Sequence, residues 1–359
     1  MMKSRKLLLC FVCVILAGSL LSCTKKSPAE KAVTSAESRI YVDDVGRQVE
    51  LPKKITRIIP AGPLAQIILY SIEPDMFTGL TNKWSDSAKE FIPQKYRDLP
   101  YFGQLYGGVS LNVEELAFSE PDCIIDIGEI KKTTVEDLDT LQKQTGIPSV
   151  YVVTSLQDMG KTYRVLGELL GKQERCEALA QFCETTYQRT MQIMEKVGDK
   201  KVRSLFVVGE QGLNVLAKNS YHAELIDMLT DNVAVVDNPL SKGLGNEVTM
   251  EQIALWNPDF VIFDAGSIYH DVAKMASWNE IAGIAAGRYL EVPSAPHNWM
   301  GMPPSVQRFL GMIWITAVLY PEYCDYDVQE EICQYYRLFY GCELTESQYA
   351  SLTEFAFCQ

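Results

Sequence analysis

Histidine is scarce in this chain of 359 residues: there are three, His222, His270 and His297, and all lie in the second half. A site for a bare zinc ion needs several histidine, cysteine or carboxylate side chains that converge on one point. The first half supplies no histidine, and beyond residue 22 there is no Cys-x-x-Cys pair. We therefore expect no intrinsic metal or other cofactor, although His222 or His297 could complete the coordination sphere of a metal that arrives in a chelate.

The sequence signatures of common enzymes are also missing. The chain has neither a Gly-x-Ser-x-Gly nucleophile elbow nor a phosphate-binding Gly-x-x-x-x-Gly-Lys loop. Its carboxylates are scattered, and acidic pairs such as Asp43-Asp44 fit turns or helix surfaces. The pattern predicts a protein that is not an enzyme.

Positive charge is in deficit, with 33 lysine and arginine residues against 46 aspartate and glutamate residues and a net charge of −13. Proteins that bind nucleic acid need clustered basic residues, so nucleic acid is not an expected partner. The seven cysteines beyond Cys23 are odd in number and widely spaced, unlike those of a disulfide scaffold. We interpret most of them as small buried hydrophobic residues.

The first 22 residues are typical of a secretory signal. Lys3, Arg5 and Lys6 precede an uncharged apolar run at residues 7–21, which is too short to span a bilayer comfortably. We interpret residues 1–22 as a removable signal peptide. Its loss takes away three positive charges and no acidic residue, so the net charge of −13 becomes −16.

The four residues that end at Cys23, Leu-Leu-Ser-Cys, resemble the bacterial lipobox, in which the cysteine is lipidated and becomes the mature N-terminus. The resemblance implies a protein that is anchored to the cell membrane by its lipid and faces the extracytoplasmic side. Ordinary signal cleavage, with Cys23 incidental, is the alternative. Residues 23–38 are largely small and polar without apolar periodicity, which predicts a flexible tether after the lipidated cysteine.

Beyond the tether, short apolar runs alternate with helical patterns, as in parallel βαβ units. This predicts an N-terminal α/β lobe at residues 39–153 and a C-terminal α/β lobe with C-terminal helices at residues 200–359. Residues 154–199 lack a strand-like run, and apolar residues from Glu174 to Val197 recur at helical spacing. We expect central parallel-type sheets flanked by helices, one long rigid helix between the lobes, and a ligand cleft between them.

The two lobes carry matching phrases. Residues 112–125 read Asn-Val-Glu-Glu-Leu-Ala-Phe-Ser-Glu-Pro-Asp-Cys-Ile-Ile, and residues 249–262 read Thr-Met-Glu-Gln-Ile-Ala-Leu-Trp-Asn-Pro-Asp-Phe-Val-Ile. Each is a helix that ends at Pro-Asp and continues into a buried strand. Together with residues 42–52 and 57–63, these phrases resemble the substrate-binding proteins of ATP-binding-cassette (ABC) importers for iron-siderophore, haem and cobalamin, the helical-backbone periplasmic-binding-protein superfamily.

The resemblance implies two lobes bridged by one rigid helix, a limited opening motion, and an ABC permease with its ATPase as partners. In that family one glutamate on each lobe docks onto basic residues of the permease. By motif position these are Glu114 and Glu251, with Glu115 as the neighbouring alternative to Glu114. Exposed carboxylates on two lobes suit a transient docking, although ordinary solvated helix residues would look the same.

Ligand-binding residues are expected on the loops that follow the carboxyl ends of the strands. Gly62 and Pro63 open a helix whose free amides could hold an anionic group. Aromatic residues suit a bulky, partly apolar chelate, although aromatic side chains commonly fill cores. The candidates are Gly62, Pro63, Gln104, Tyr106, Gly128 and Glu129 in the first lobe, and Gln211, Tyr221, His222, Tyr269 and Trp299 in the second.

The expected function is capture of an iron or other metal complex, such as a siderophore-like chelate, by a monomeric lipoprotein that delivers it to the permease. Cobalamin, haem, or an oxyanion such as molybdate or tungstate is the alternative ligand within the same family. Two hypotheses come from other classes. One is a metal-chelatase-like enzyme, which the secretory signal argues against; the other is a ligand-free structural or adhesive surface lipoprotein.

Overall fold

The computed structural model of the protein describes residues 38–105 and 111–358. The chain begins there with an antiparallel hairpin made of β1 (Ser38–Val42) and β2 (Gln48–Pro52). Gly46 has a φ of 81° in the turn, a backbone conformation that glycine adopts without strain. The side chain of Asp43 accepts a hydrogen bond from the N–H of Arg47 at 2.8 Å, which closes the turn.

The core of the first lobe is a parallel sheet flanked by helices. Its elements are β3 (Ile58–Pro60), α1 (Pro63–Ile72), α2 (Gln94–Arg97), α3 (Val113–Phe118), β4 (Cys123–Gly128), α4 (Thr134–Thr145) and β5 (Ser149–Val153). Hydrogen bonds give the strand order β3-β4-β5, with all pairs parallel. The strands are nearly continuous apolar runs that are buried on both faces, as parallel strands usually are.

Two helices then connect the lobes, α5 (Met159–Leu170) and α6 (Gln173–Val197). Helix α6 has 25 residues and ends at Gly198, whose φ is 56°. Arg164 on α5 ties the pair together, because its guanidinium bonds Glu177 at 2.7 Å and Glu184 at 2.5 Å on α6. The long helix that the sequence predicts from Glu174 is therefore confirmed.

The second lobe contains a six-stranded sheet. Its elements are β6 (Arg203–Val208), β7 (Asn214–Val215), α7 (Glu224–Leu229), β8 (Asp231–Asn232), β9 (Asn246–Glu247), α8 (Met250–Trp256), β10 (Phe260–Phe263), α9 (Tyr269–Val272), α10 (Ala282–Ala285), β11 (Tyr289–Glu291) and α11 (Arg308–Leu319). The strand order is β11-β10-β6-β7-β9, and β8 also pairs with β6. Strands β11, β10, β6 and β8 are parallel, so the predicted α/β architecture holds in both lobes.

The C-terminal helices follow the second lobe along the chain and also contact the first lobe. They are α12 (Val328–Tyr335), a π-helical turn (Tyr336–Tyr340) and α13 (Glu346–Leu352). The ring of Tyr336 lies 5.3 Å from that of Phe91, and the ring of Tyr340 lies 6.4 Å from that of Tyr70. The lobes are joined by α6, as predicted, and these ring contacts add a second set of contacts between them.

One hydrophobic cluster runs from the first lobe through α5 and α6 into the second, and each lobe has a further cluster of its own. The shared cluster contains Ile58 on β3 of the first sheet, Leu179 on α6 and Phe309 on α11, all fully buried. Close-packed cores resist deformation, which favours a small opening motion between the lobes. In the ranges 38–105 and 111–358, no helix has the length and apolar character that a membrane span requires.

The matching phrases fold into matching helices, α3 and α8. At the start of each helix the side chain of Asn112 or Thr249 accepts a hydrogen bond from the backbone N–H three residues later, at 3.3 and 3.2 Å. Such N-caps satisfy amides that the helix itself leaves free. Leu116 and Ile253, at equivalent positions, are fully buried and anchor the two helices to their lobes.

The ends of the two helices also match. Arg57 donates to the carbonyl oxygens of residues 119 and 120, and Arg203 donates to those of residues 256 and 257, at distances between 2.5 and 3.1 Å. Glu120 and Asn257 occupy the same place and have positive φ angles of 46° and 40°. Each lobe therefore presents the same rigid module, a short capped helix whose last turn is held by an arginine.

Candidate functional site

The loops that follow the parallel strands of the two lobes meet across a cleft. Ser305 of the second lobe donates from Oγ to the carbonyl oxygen of Leu64, at the start of α1, at 3.2 Å. Glu129 follows β4 on one side, and Tyr221 follows β7 on the other. Burial raises the pKa of Tyr221, the positive charge of Arg308 partly offsets that rise, and the Glu129 carboxylate of the first lobe adds to it. Glu129 is therefore near enough to act on Tyr221 electrostatically. Ligands of α/β proteins bind at such carboxyl ends.

Arg308 is the charged centre of the second-lobe wall. It is the first residue of α11, its side chain is 5% exposed, and it forms an ion pair with Glu224. Its Nε donates to the carbonyl oxygen of Ser305 at 3.4 Å. Its side-chain bonds to the described residues come from Nη1 and Nε, and none comes from Nη2. A buried, oriented guanidinium with an N–H to spare can bind an anionic group of a ligand. Arg308 is not among the residues that the sequence predicts for the ligand site.

Tyr221 and His222 lie beside Arg308, and their rings are 5.6 Å apart. Both are half-buried. Burial, and then the positive charge of Arg308, lower the pKa of His222, so its imidazole is neutral near pH 7. Its Nδ1 is buried and makes no hydrogen bond within the described part of the chain. These two residues, both predicted, therefore offer a phenol and a neutral imidazole next to a guanidinium.

A second pair of rings brings the two lobes together. The centroids of Trp84 in the first lobe and His297 in the second are 5.4 Å apart. Nε1 of Trp84 and Nε2 of His297 are both buried without a partner in the described ranges. Buried polar atoms are nearly always hydrogen-bonded, so these two atoms mark a position where a ligand or a water molecule could be bound.

The burial of His297 predicts a pH effect on stability. Burial lowers its pKa from 6.5 to about 4, so between these values the unfolded chain is protonated and the folded chain is not. Stability is therefore lost as the pH falls from about 7 towards 4. Relative to His297→Gln, the wild-type free energy of unfolding should drop by about 2 kcal/mol between pH 7.5 and pH 5, measured by urea unfolding.

Two buried carboxylates change the stability with pH in the direction opposite to His297. The comparison of wild type with His297→Gln cancels their contribution. Burial raises the pKa of Asp126 to about 7 and that of Asp264 to about 6, so each favours the folded state as the pH falls. Both are present in wild type and in His297→Gln, so their effects cancel in the difference. Parallel pH profiles of the two proteins would show that His297 is not buried in its neutral form.

The first-lobe wall is made by the ends of β3 and β4. Gly62 is extended, with φ of −161°, and Pro63 begins α1, which has neither a side-chain cap nor an acidic residue in its first turn. After β4, the hydroxyl of Tyr151 donates to the carbonyl oxygen of Glu129 at 2.6 Å and fixes that loop. A Cβ atom at Gly128 would lie 3.3 Å from the same hydroxyl. The predicted residues Gly62, Pro63, Gly128 and Glu129 thus line one edge.

Two aromatic residues that were predicted to contact the ligand are packed against other aromatic rings instead. Trp299 is fully buried, and its ring lies 5.9 Å from that of Trp314 in the core. Tyr269 packs against Phe263 at 6.3 Å and Tyr289 at 5.6 Å, within the second-lobe sheet layer. Both side chains are occupied by packing, so we leave them out of the proposed ligand site.

The remaining predicted site residues lie at the periphery of the cleft or outside the described residues. Gln104 lines a groove of about 320 Å³ against α4, and Gln211 is exposed on the loop after β6. Cys23 and Tyr106 fall outside residues 38–105 and 111–358. Their predicted roles, lipidation and ligand contact, stay predictions.

The two predicted docking residues are exposed in the first turns of α3 and α8. For Glu251, hydrogen bonds from its own backbone N–H and then from the Thr249 hydroxyl lower the pKa of the carboxyl group. Glu251 is therefore ionised at neutral pH. Beside Glu114 lies a groove of about 880 Å³ along α3.

Metal-binding clusters and disulfides are not found in the described ranges. No group of three or more histidine, cysteine, aspartate or glutamate side chains there could hold a metal ion. The seven cysteines between residues 123 and 358 are free thiols. Of these, Cys123, Cys176 and Cys183 are buried, as small hydrophobic residues would be, whereas the other four are partly or fully exposed.

The chain is similar to known proteins in both sequence and structure. A family model described as periplasmic binding protein matches residues 80–295, more than half of the chain. Among curated proteins, the chain is 21% identical over 278 residues to the uncharacterized ABC transporter substrate-binding lipoprotein YvrC of Bacillus subtilis (strain 168). That alignment covers 74% of this chain and 83% of the relative.

Two solved structures extend the comparison. An ABC transporter solute binding protein from Sulfurospirillum deleyianum DSM 6946 is 26% identical, with a TM-score of 0.81 over 88% of this chain and 99% of that one. The molybdate-bound periplasmic binding protein MolA of Haemophilus influenzae is 17% identical, with a TM-score of 0.64 over 86% of this chain and 99% of that one. The second likeness shows a shared fold alone.

Proposed function

Because this chain belongs to the periplasmic binding protein family and is the substrate-binding component of an ABC transporter, we propose that its substrate is an anionic iron or other metal complex. The complex binds in the cleft between the lobes and is handed to the permease, which the ATPase drives. The protein acts as a monomer that Cys23 anchors by lipid to the outward face of the cell membrane. It performs no chemistry on the complex.

The observation that carries the proposal is the buried guanidinium of Arg308 with Nη2 unbonded among the described residues. Glu224 fixes the orientation of the guanidinium, and the pair is neutral before the substrate arrives. A carboxylate, catecholate or hydroxamate oxygen of a chelate can accept from Nη2. On the same wall, the neutral imidazole of His222 can contact the metal or its ligands through Nδ1.

An oxyanion is the second candidate substrate, and one feature favours it. The first turn of α1, behind Gly62 and Pro63, has amides without a side-chain cap, and helix N-termini bind small anions. The fold of molybdate-bound MolA is similar to that of this chain. A tetrahedral oxyanion would bind between these amides and Arg308, which requires a narrower cleft than a chelate does.

Thermal unfolding of the mature chain with a ligand panel tests the proposal. The panel holds ferric siderophores of the catecholate and hydroxamate classes, haem, cobalamin, molybdate, tungstate and free metal ions. A ligand at a hundred times its dissociation constant stabilises the folded state by about 2.7 kcal/mol, which raises the unfolding temperature by several degrees. We expect this shift with a ferric chelate and none with free metal ions.

The other outcomes separate the alternatives. A shift with molybdate or tungstate alone would replace the chelate by an oxyanion. A shift with haem or cobalamin would move the substrate to the tetrapyrrole class. No shift across a panel that saturates the known substrate classes of such importers would favour a structural or adhesive lipoprotein, and turnover of a panel member would favour an enzyme.

A further inference from the structure

Phe118 and Leu255 are the two most exposed large hydrophobic side chains of the described residues, at 90% and 78%. They lie at equivalent positions of the two lobes. Phe118 is the seventh residue of the first matching phrase, and Leu255 is the seventh residue of the second. The structure puts both on the modules α3 and α8, whose caps, buried anchors and arginine-held ends are the same. Scattered exposed hydrophobic residues are common on protein surfaces, but an equivalent pair is not explained by chance exposure.

Each apolar side chain lies beside an acidic one. Phe118 comes four residues after Glu114, and Leu255 comes four residues after Glu251, a spacing that puts both members on the same face of a helix. Both glutamates are exposed. Each lobe therefore displays one carboxylate and one large apolar group as neighbours on a short helix.

The surface around Phe118 is shaped to receive another molecule. Phe118 lines the groove of about 880 Å³ together with the apolar side chains Phe77, Leu99 and Phe102. Three carboxylates, those of Glu114, Glu115 and Glu120, also line it, against the one guanidinium of Arg57. An apolar groove with a net acidic lining is complementary to a protrusion that carries apolar and basic side chains together.

The arginines hold these surfaces in place. Arg57 donates to the carbonyl oxygen next to Phe118, that of Ser119, at 2.5 Å. Arg203 donates to the carbonyl oxygen next to Leu255, that of Trp256, at 2.6 Å. Both apolar side chains are therefore presented on a backbone that is fixed before any partner arrives, and a preformed surface loses little entropy on binding.

We propose that Phe118 and Leu255 are the apolar halves of two equivalent docking sites, and that the permease buries each of them in an apolar pocket next to a basic side chain. The assignment rests on the proposed function, because it takes the permease as the partner. The glutamates steer and orient the encounter across water, whereas the apolar side chains act after contact by slowing dissociation. The two kinds of side chain should thus affect different rate constants.

Binding kinetics on the purified permease–ATPase complex of this importer, reconstituted in lipid nanodiscs, test the assignment. Phe118→Ser and Leu255→Ser should each speed dissociation about tenfold, with the association rate and its salt dependence unchanged. Glu114→Gln should instead lower the association rate at low salt, and this loss should shrink as salt is added. Ile40→Ser, which removes a 63% exposed apolar side chain from β1, is the matched control and should change neither rate.

The results separate the assignment from the function it rests on. Wild-type protein that fails to bind the nanodisc complex would overturn the proposed function and this assignment together. Wild-type binding with unchanged dissociation of both serine variants would overturn only the assignment. Light scattering gives the third outcome: a dimer of the wild type that Phe118→Ser or Leu255→Ser dissolves, with permease binding intact, would assign the pair to self-association instead. The thermal unfolding curves of the variants should match that of the wild type.

Discussion

Replacing Arg308 by glutamine should weaken binding of the cleft substrate by about thirtyfold or more. The relevant charge pair is the one between Arg308 and the anionic group of the substrate. Removing one partner of such a buried pair costs about 2–5 kcal/mol in binding, and about 1.4 kcal/mol corresponds to a factor of ten. Glutamine keeps a donor but loses the positive charge and the forked N–H geometry, and it leaves the Glu224 carboxylate unpaired. Calorimetric titration with the panel member that stabilises the wild type measures the loss.

Arg189 provides the matched control. It lies on α6, pairs with Glu331 at 2.6 Å, and is 21% exposed, so Arg189→Gln also breaks an arginine–glutamate pair that is largely withdrawn from solvent. We expect Arg189→Gln to lower stability without changing affinity. Equal losses of affinity in both variants would assign the effect to a general loosening of the fold. Full affinity in Arg308→Gln would remove the guanidinium from the substrate site.

Much of the fold follows from the sequence because its signals are periodic. The apolar spacing between Glu174 and Val197 predicts α6 to within one residue, and alternating short apolar runs predict the parallel sheets. Thr345 and Gln348 have the spacing of a capping box, and the structure forms that box at the start of α13. The periodic pattern identifies the apolar face of a helix but does not show which other element that face packs against. The aromatic helices after residue 320 follow the second lobe along the chain, yet they pack on Tyr70 and Phe91 of the first.

The ligand site was predicted less completely, for a related reason. A loop sequence does not indicate which of its aromatic side chains turn inward, so Trp299 was proposed for the cleft although it is fully buried. Arg308 was missed because residues 306–319 are mostly apolar, a pattern that is typical of a helix packed in the core. The available signal was the lone arginine beside Phe309 and Leu310 on a face that is otherwise buried. A charge in such a position must have a partner, and here the partner is Glu224.

The pair of matching phrases at residues 112–125 and 249–262 was the most informative sequence feature, because each phrase predicts the structure of the other. The sequence equated Glu114 with Glu251, and the structure extends the equivalence to the helix caps and to Arg57 and Arg203. Exposure could not be predicted from the phrases alone, since a helix of six or seven residues has too few turns to define its buried face by periodicity.

The variant Glu114→Lys/Glu251→Lys should lose transport while it keeps its substrate affinity. Both glutamates are exposed on the docking modules, outside the cleft, so charge reversal leaves Arg308 and His222 undisturbed. If the permease offers basic side chains to them, two lysines replace attraction by repulsion on both lobes. Like-charge contacts cost several kcal/mol, so uptake into proteoliposomes should fall by about a hundredfold or more. Calorimetry on the same variant should give the wild-type dissociation constant.

The charge change itself needs a control, and the C-terminal helices supply one. Glu330 and Glu346 are exposed in the first turns of α12 and α13, so Glu330→Lys/Glu346→Lys alters the net charge by the same amount in the same helical setting. This variant should transport as the wild type does. Equal loss in both double variants would show that uptake responds to net charge alone. Normal uptake by Glu114→Lys/Glu251→Lys would place docking elsewhere, and then Phe118 and Leu255 would need a different partner.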